Sequence, residues 1–395
     1  MNTRSVIHFD LDAFFVGVEC KLNPALEGRP LIIGGSSRRG VVAACSYEAR
    51  KFGVHSAMPM YLALQLCPDA KVISGDMEAY SKHSHLVTEI IADSAPSFEK
   101  SSIDEFYVDA TGMDKFFGAF KWAVGLRKRI KDNSGLTISM GMSVNKLVSK
   151  VATGEFKPNA EKHVPAGEER DFLAPLSVEK IPMIGKQTAS FLYDMGVRKV
   201  ATLREMPLKF LTSAFGKNGI SLWNKAHGID NTPVVPYSEQ KSISTECTFD
   251  QDSIDVKGIK SILIAMVEKV AFNLREQQKL ASCITVKIRY SNFDTETKQI
   301  HVPYTSSDHT ILRTVMELFD RLYTRRMLIR LVGVRLSGLV HGNHQISLFD
   351  DTEESINLYE AIDRMKHKHG VEKLIRASTL NVNKRVRMEM NAFKG

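Results

Sequence analysis

The sequence has few cysteines and no arrangement of them that suggests a zinc site. Its five cysteines are odd in number and scattered, and no C-x-x-C occurs, so the sequence predicts neither a disulfide framework nor a zinc ribbon. No stretch approaches the roughly 18 apolar residues of a membrane span. Asp10 and Asp12 interrupt the first apolar run, which is not typical of a signal peptide. We therefore expect a soluble cytoplasmic protein with reduced cysteines and no membrane association.

The composition is that of an ordinary globular protein. The chain has 395 residues, of which 43% are hydrophobic and 25% are charged, so it can build real cores in roughly two to four domains. It contains no internal repeat and no low-complexity tract. The net charge of +8 favours a polyanionic partner.

The pattern of elements changes along the chain. Up to about residue 168, short apolar runs alternate with helical patterns, which predicts an α/β sheet with helices on one face. A compact helical stretch follows. NTPVVPYSEQK, with two prolines, is typical of a linker. Strand and helix patterns alternate again over residues 244–342, and the last fifty residues are polar and partly basic.

Two adjacent acids stand in the stretch SSIDEFYVDATG, residues 101–112. Asp104 and Glu105 lie in a strand pattern, where successive side chains point to opposite faces. One interpretation is a strand end at which both acids reach water. The other is a metal site, which needs a third carboxylate on a neighbouring strand. Asp10 ends the strand pattern VIHFD, and Asp12 is either a spare acid or the cap of the following helix.

A second group of residues has the chemistry of a triphosphate site. In SYEARKFG, Tyr47 and Arg50 are one helical turn apart and so share a face. Lys157 follows another helix in FKPNA. Arginine binds phosphate bidentately and lysine as a point charge. Taken singly, these residues also fit solvated surface charges and a half-buried aromatic ring.

Several motifs together resemble the Y-family of translesion DNA polymerases, and most closely the bacterial DNA polymerase IV group. The matching motifs are HFDLDAFF, YEARKFGV, SIDEFYVD, GMSVNKLVSKVAT with FKPN, IPMIG, and KSIS after the linker. They follow the order of the family at compatible spacings, and the resemblance covers roughly residues 1–349.

The resemblance implies an α+β multidomain fold of the right-hand polymerase type. It implies a ferredoxin-like palm, small fingers, a helical thumb with a helix-hairpin-helix, and an α/β little finger. The implied bounds are 1–12 and 76–168 for the palm, 13–75 for the fingers, 169–235 for the thumb, 236–243 for a linker, 244–342 for the little finger, and 343–395 for a clamp-binding peptide and basic tail.

The resemblance also implies roles for individual residues. Two Mg²⁺ ions per active site would be held by Asp10, Asp104, Glu105 and the Leu11 carbonyl. The triphosphate would be bound by Tyr47, Arg50, Lys157 and the backbone amides near Phe14 and Phe15. The Phe15 ring would also act as a steric gate that rejects ribonucleotides. Primer-template DNA would be contacted by Gly185, Lys241, Arg325, Arg326 and Arg330. The stretch QISLF would bind a sliding clamp through Gln345, Leu348 and Phe349.

Three positions depart from the family pattern. Ala44 stands where a threonine or serine often donates to phosphate, and Ser46 is the nearest hydroxyl. Met183 stands in IPMIG where glycine is usual, although Gly185 remains, and Ala160 replaces another common glycine. The contact at Ala44 is therefore not assigned, and the DNA-phosphate contact of the thumb hairpin depends on Gly185.

The implied function is template-directed addition of deoxynucleoside triphosphates to a primer 3′-hydroxyl by two-metal-ion catalysis. Low fidelity and translesion synthesis by a monomer are expected with it. Two alternatives are a clamp-bound DNA-binding scaffold with weak catalysis and a nucleotidyl cyclase. A cyclase has no use for a helix-hairpin-helix or a clamp peptide, and a decayed scaffold usually loses its metal ligands first.

Overall fold

The structure, a computed structural model, describes residues 4–35, 39–113, 118–342, 352–371, 373–380 and 382. The chain divides into two compact units, Met1–Ser238 and Glu239–Gly395, here called the first and second units. Among the described residues, no helix has both the length and the apolar character needed to cross a membrane.

The sheets and helices of the first unit alternate up to about residue 163, and helices follow. The elements are β1 (Val6–Leu11), α1 (Phe14–Leu22), β2 (Leu31–Gly34), β3 (Val42–Cys45), α2 (Tyr47–Arg50), α3 (Met60–Leu66), β4 (Lys71–Ile73), α4 (Met77–Ala92), β5 (Phe98–Lys100), β6 (Glu105–Asp109), α5 (Ala119–Ser134), β7 (Ile138–Ser143), α6 (Lys146–Phe156), β8 (Glu161–His163), α7 (Glu169–Leu173), α8 (Lys186–Asp194), α9 (Val200–Glu205), α10 (Leu208–Phe215) and α11 (Lys217–Ala226).

A five-stranded sheet with the order β5-β6-β1-β7-β8 forms the centre of the first unit. The central strand β1 pairs antiparallel with both β6 and β7. Alternation along β1 sends Ile7, Phe9 and Leu11 into the hydrophobic core that α4 and α5 complete. The residues between them, His8 and Asp10, therefore face the other side of the sheet.

That other side is partly covered by α6, so the expectation of helices on one face only is wrong. The reason is Gly141, which pairs with His8 in the sheet. A Cβ atom on Gly141 would lie 2.3 Å from the carbonyl oxygen of Ser149. The absence of a side chain lets α6 approach the sheet closely. The outer face of α6 packs into a second core with the helices that follow it.

A separate three-stranded sheet, ordered β3-β2-β4, carries α2 and α3 on its own small core. Helix α1 connects this sheet with the large one. Phe14 and Val18 belong to the core of the five-stranded sheet, whereas Val16 packs with Leu31 of β2. The first residues of α1 are therefore fixed between the two sheets.

Residues 169–226 form five short helices around one core. Before α8, Met183 adopts a φ of 77°, a left-handed conformation that favours glycine, and its side chain is 90% exposed. Met183 thus holds a left-handed backbone at the position where the resemblance implies a glycine. Gly185 is the N-cap residue of α8.

The second unit is a four-stranded antiparallel sheet with two helices on one face. Its strand order is β11-β10-β12-β9, and β9 begins two residues before the little finger expected from the sequence. The elements are β9 (Ser242–Ser253), α12 (Val256–Glu276), β10 (Lys279–Tyr290), β11 (Thr295–Thr305), α13 (Asp308–Leu322), β12 (Ile329–His341) and α14 (Thr352–His369). Helices α12 and α13 bury one face of the sheet.

The C-terminal tail contains a docked helix, which the sequence did not reveal. Tyr359 of α14 is 1% exposed, and its hydroxyl lies 3.1 Å from the His309 backbone nitrogen, which donates to it. Arg275 of α12 donates to Asp308 at 2.6 Å and to Asp363 of α14 at 2.6 Å. Part of the predicted basic tail is therefore integral to the second unit.

Tyr359→Phe should loosen this docking while leaving the ring in place. The part-buried hydrogen bond from the His309 backbone nitrogen would be lost, and a typical hydrogen bond contributes about 0.5–1.5 kcal/mol net. Hydrogen exchange of the α14 amides in the full chain should then speed up by roughly 2–13-fold. Leu358→Ala, at a neighbouring position that is 49% exposed, is the control and should change little. Fast exchange of α14 in the unaltered chain would contradict the docking.

Candidate active site

Strand pairing brings the predicted carboxylates together. Asp10 of β1 is directly opposite Glu105, the first residue of β6. Asp104 precedes that strand, and its carbonyl accepts from Leu11 N at 3.1 Å. The side chain of Ser102 donates to Asp104 Oδ1 at 2.6 Å. The two adjacent acids are thus at a strand end, and the third carboxylate is on the neighbouring strand.

A cleft of about 190 Å³ lies beside these acids. It gathers residues from β1, the start of α1, β3, α2 and the loop after α6. Its lining residues are Asp10, Leu11, Ala13, Phe14, Phe15, Ala43, Ala44, Arg50, Ser56, Asp104 and Lys157. Most of the residues predicted to bind metal and nucleotide therefore line one cleft.

Two lysines neutralise part of the negative charge. Lys157 forms an ion pair with Asp10 and also lies 3.4 Å from the Leu11 carbonyl oxygen. Lys150 of α6 binds Glu105 at 2.5 Å. Burial raises the pKa of Asp10 to about 7 although Lys157 opposes this. Burial also acts to raise the pKa of Glu105, but the interactions with His8 and with the Lys150 ammonium outweigh it and lower that pKa to about 2.

Asp12 has a structural role, and of the two alternatives given for it the helix cap of α1 is wrong. The N-cap of α1 is Ala13, without a capping side chain. Asp12 instead accepts from the Ser139 hydroxyl at 2.7 Å and from the Asn159 amide at 2.8 Å. The carboxylate thereby ties the end of β1 to β7 and to the loop that carries Lys157.

His8 is a buried member of the acidic group that sequence reasoning missed. Its side chain is 1% exposed, and Nε2 lies 3.9 Å from Glu105 Oε2, too far for a hydrogen bond. Burial lowers the pKa of His8 to about 4, so the ring is neutral at pH 7. Among the described residues, His8, Asp10 and Glu105 offer ligand atoms that all lie within 4.8 Å of one another.

Tyr47 and Arg50 share a face of α2, as predicted from their spacing. The Arg50 guanidinium lies 4.7 Å from the centre of the Tyr47 ring. The Tyr47 hydroxyl is buried and has no hydrogen-bond partner among the described residues. Burial raises the pKa of Tyr47 to about 12. A neutral donor beside a guanidinium suits an incoming anionic oxygen.

The serine hydroxyl that lies at the cleft belongs to Ser56. It does not belong to Ser46, the serine nearest to Ala44 in the sequence. Ser46 is buried and caps α2, accepting from Ala49 N at 3.3 Å and donating to Arg29 O at 3.1 Å. Ser56, in the loop after α2, lines the cleft together with Ala44. No spacing signal in the sequence distinguishes Ser56, because the loop alone positions it.

The start of α1 presents backbone amides and an aromatic ring to the cleft. Ala13 adopts a φ of 42°, an uncommon conformation for a residue with a side chain and one found often at functional sites. Phe14 and Phe15 follow in the first helical turn, whose amides lack partners within the helix. The Phe15 ring stacks on Tyr80 at 4.3 Å and 12°, and the Tyr80 hydroxyl donates to Glu19 at 2.6 Å.

The residues predicted to contact DNA lie outside this cleft. Lys241 and Arg326 are exposed, Arg325 forms ion pairs with Asp294 and Glu296, and Arg330 lies over the Phe293 ring. Arg325 is thus engaged within the second unit. The predicted clamp residues Gln345, Leu348 and Phe349 lie outside the described residues.

Sequence reasoning missed the open face of the second unit's sheet. A groove of about 660 Å³ runs along this face, and hydroxyl, amide and charged side chains line it. Lys287 and Glu246 flank Gly333 in the sheet register and form an ion pair across it at 2.8 Å. Arg335 is exposed on the same face. The alternation of polar and apolar residues along each strand indicates one polar face. Only the register of the strands shows that these faces form one surface.

Comparisons with known proteins agree with this geometry. The model of the impB/mucB/samB family matches residues 9–154, and the model of its C-terminal domain matches residues 240–348. A protein named DNA polymerase IV from Dehalococcoides mccartyi (strain CBDB1) is 38% identical over 374 residues, covering 94% of this chain and 96% of that protein. The DNA polymerase IV of Streptococcus pneumoniae serotype 4 is 38% identical over 344 residues, covering 85% and 97%.

The fold also resembles that of solved polymerase structures. A Y-family DNA polymerase chimera of Dbh and Dpo4 superposes with a TM-score of 0.75 at 27% sequence identity, covering 86% of this chain and 100% of the other. The α+β multidomain fold expected from the sequence is therefore confirmed.

Proposed function

This chain belongs to the impB/mucB/samB family, and we propose that it is a Y-family DNA polymerase that extends a primer on a template strand, with low fidelity and past lesions. Its predicted resemblance to that family is confirmed. The observation that carries the proposal is the single cleft that unites Asp10, Asp104, Arg50, Lys157 and Phe15.

In the proposed reaction, the primer 3′-oxygen attacks the α-phosphorus of a deoxynucleoside triphosphate. A new P–O bond forms, the bond to the bridging oxygen breaks, pyrophosphate leaves, and the hydroxyl proton passes to solvent. Divalent cations, when bound, lower the pKa of the attacking hydroxyl and neutralise the leaving group. The residues of the chain hold the reactants in line and exclude the wrong sugar.

The carboxylates of Asp10, Asp104 and Glu105, with the Leu11 carbonyl, are our candidates for the ligands of two Mg²⁺ ions. Oxygen ligands are those that Mg²⁺ prefers. The negative charge of the site supports the binding of cations, because Asp10 and Glu105 each already form an ion pair with a lysine ammonium group. A cation at Asp10 would also offset the burial that raises its pKa.

The triphosphate would lie between α1 and α2. Arg50 and Lys157 supply positive charge, and the buried hydroxyl of Tyr47 supplies a donor that lacks a partner. The amides of Phe14 and Phe15 add donors at a helix N-terminus. Ser56 offers the hydroxyl that the family pattern places at Ala44.

The sugar would lie against Phe15. Tyr80 stacks behind this ring and is itself held by Glu19, so the ring has little room to retreat. A 2′-hydroxyl would collide with it, which supports the assignment of Phe15 as the steric gate.

Duplex DNA would be bound mainly through its phosphates, which makes binding salt-sensitive and independent of sequence. To the predicted residues Gly185, Lys241, Arg325, Arg326 and Arg330 we add Lys287 and Arg335 of the open sheet face. A sliding clamp bound through Gln345, Leu348 and Phe349, a monomeric state and a cytoplasmic location stay predictions from the sequence.

Primer extension with Mg²⁺ on a defined template tests the proposal. The intact chain should add the templated deoxynucleotide, and Asp104→Ala with Glu105→Ala should lower the rate by on the order of 100–1,000-fold or more, because the stabilisation of developing charge is lost. Glu89→Ala with Asp93→Ala removes the same charge from α4 and its C-cap at exposed positions and should change little. Binding of DNA without addition by the intact chain would instead support the scaffold alternative.

Phe15→Ala should relax the choice of sugar. The ratio of kcat/KM for a deoxynucleotide to that for the matching ribonucleotide should fall by at least about tenfold, because the steric exclusion of a small group is removed. Phe52→Ala, at a position that is 54% exposed, is the aromatic control and should keep the ratio. An unchanged ratio in Phe15→Ala would remove the gate assignment while leaving the polymerase assignment intact.

A further inference from the structure

His8 has a buried nitrogen atom that the rest of the fold leaves unused. Its ring packs against Tyr107 with 4.7 Å between centroids, and its side chain is 1% exposed. Nε2 has no hydrogen-bond partner among the described residues. An unpartnered buried polar atom costs about 1–3 kcal/mol, and such atoms in folded proteins are few.

Thr153 holds the His8 ring by its other nitrogen. Thr153 Oγ1 lies 2.9 Å from the Ser149 carbonyl oxygen and 3.2 Å from the His8 carbonyl oxygen, and both of these atoms only accept. When the hydroxyl hydrogen is on a carbonyl, His8 Nδ1, 2.9 Å from Thr153 Oγ1, donates to the hydroxyl. In that tautomer Nε2 carries the lone pair that a cation needs.

Nε2 is on the side of the acidic group, 3.9 Å from Glu105 Oε2. Nε2 and one oxygen each of Asp10 and Glu105 lie within 4.8 Å of one another. Metal–ligand bonds of about 2.0–2.2 Å place neighbouring ligand atoms some 3–4 Å apart, so a small contraction would bring all three onto one cation.

The contact between His8 and Thr153 is the second feature of a metal-binding histidine. Such histidines usually donate their other N–H to an oxygen atom, which fixes the ring and its tautomer. Lys150 occupies the same oxygen of Glu105 at 2.5 Å. Its ammonium group would compete with a cation there and would have to move aside.

We propose that His8 Nε2 is a further ligand of a divalent cation shared with Asp10 and Glu105, and that this nitrogen shifts the preference of the site from Mg²⁺ toward first-row transition ions such as Mn²⁺. The inference rests on the proposed function, in which Asp10 and Glu105 are metal ligands. Carboxylate and water oxygens suit Mg²⁺ and Mn²⁺ alike, and an added imidazole nitrogen is a ligand that first-row transition ions accept more readily than Mg²⁺ does.

Pulsed electron paramagnetic resonance of Mn²⁺ bound to the full chain without DNA tests this directly. The unaltered protein should show a coupling to imidazole ¹⁴N, and protein containing ¹⁵N-labelled histidine should show the ¹⁵N coupling in its place. This comparison needs no variant and so does not depend on the folding of one. A Mn²⁺ signal without any histidine nitrogen coupling would overturn the inference.

Variants then assign the nitrogen to one residue. His8→Phe should abolish the coupling and lower the ratio of Mn²⁺ to Mg²⁺ affinity by about 10-fold or more, measured by competition. His85→Asn replaces a histidine whose side chain is 74% exposed and should change neither. A coupling that persists in His8→Phe would contradict the inference. If the unaltered protein binds Mn²⁺ without a nitrogen coupling and Asp10→Asn loses Mn²⁺ binding, His8 is rejected as a ligand. The proposed carboxylate site is then retained.

Discussion

The pairing of β1 with β6 is the constraint on which the site depends. Its register sets Phe9 opposite Phe106 and Asp10 opposite Glu105. The first pair is fully buried in the core, and the second faces the cleft side of the sheet. A slip of one residue would exchange the faces, driving Asp10 into the core. The apolar residues that alternate with the carboxylates along β1 and β6 must be buried, and this requirement fixes the positions of the carboxylates.

This arrangement concentrates features that a fold selected only for stability would avoid. Burial raises the pKa of Asp10 to about 7, Ala13 holds a φ of 42°, and the hydroxyl of Tyr47 has no partner among the described residues. Each is unfavourable by itself. A charged ligand with cations would relieve the first and the third, so these costs are understandable in a site that binds a metal-bound triphosphate.

Local pattern was sufficient for the parts of the site that lie within single elements. The strand ends at Asp10 and Glu105 and the helical spacing of Tyr47 and Arg50 could be read from the sequence. Contacts between distant residues could not. The sequence left Asp12 as a spare acid or a helix cap, but its carboxylate accepts from a serine and an amide that are 127 and 147 positions away. The docking of α14 and the polar sheet face of the second unit depend likewise on packing and register, which no local pattern encodes.

The most direct test is the location of the cations themselves. Anomalous scattering from Mn²⁺ should be recorded in crystals of the chain with primer-template DNA and a non-hydrolysable deoxynucleotide. Our account predicts two peaks about 3.5–4 Å apart between the carboxylates of Asp10, Asp104 and Glu105, with the triphosphate against Arg50 and Lys157. A well-ordered triphosphate with no anomalous peak within ligand distance of these carboxylates would contradict it.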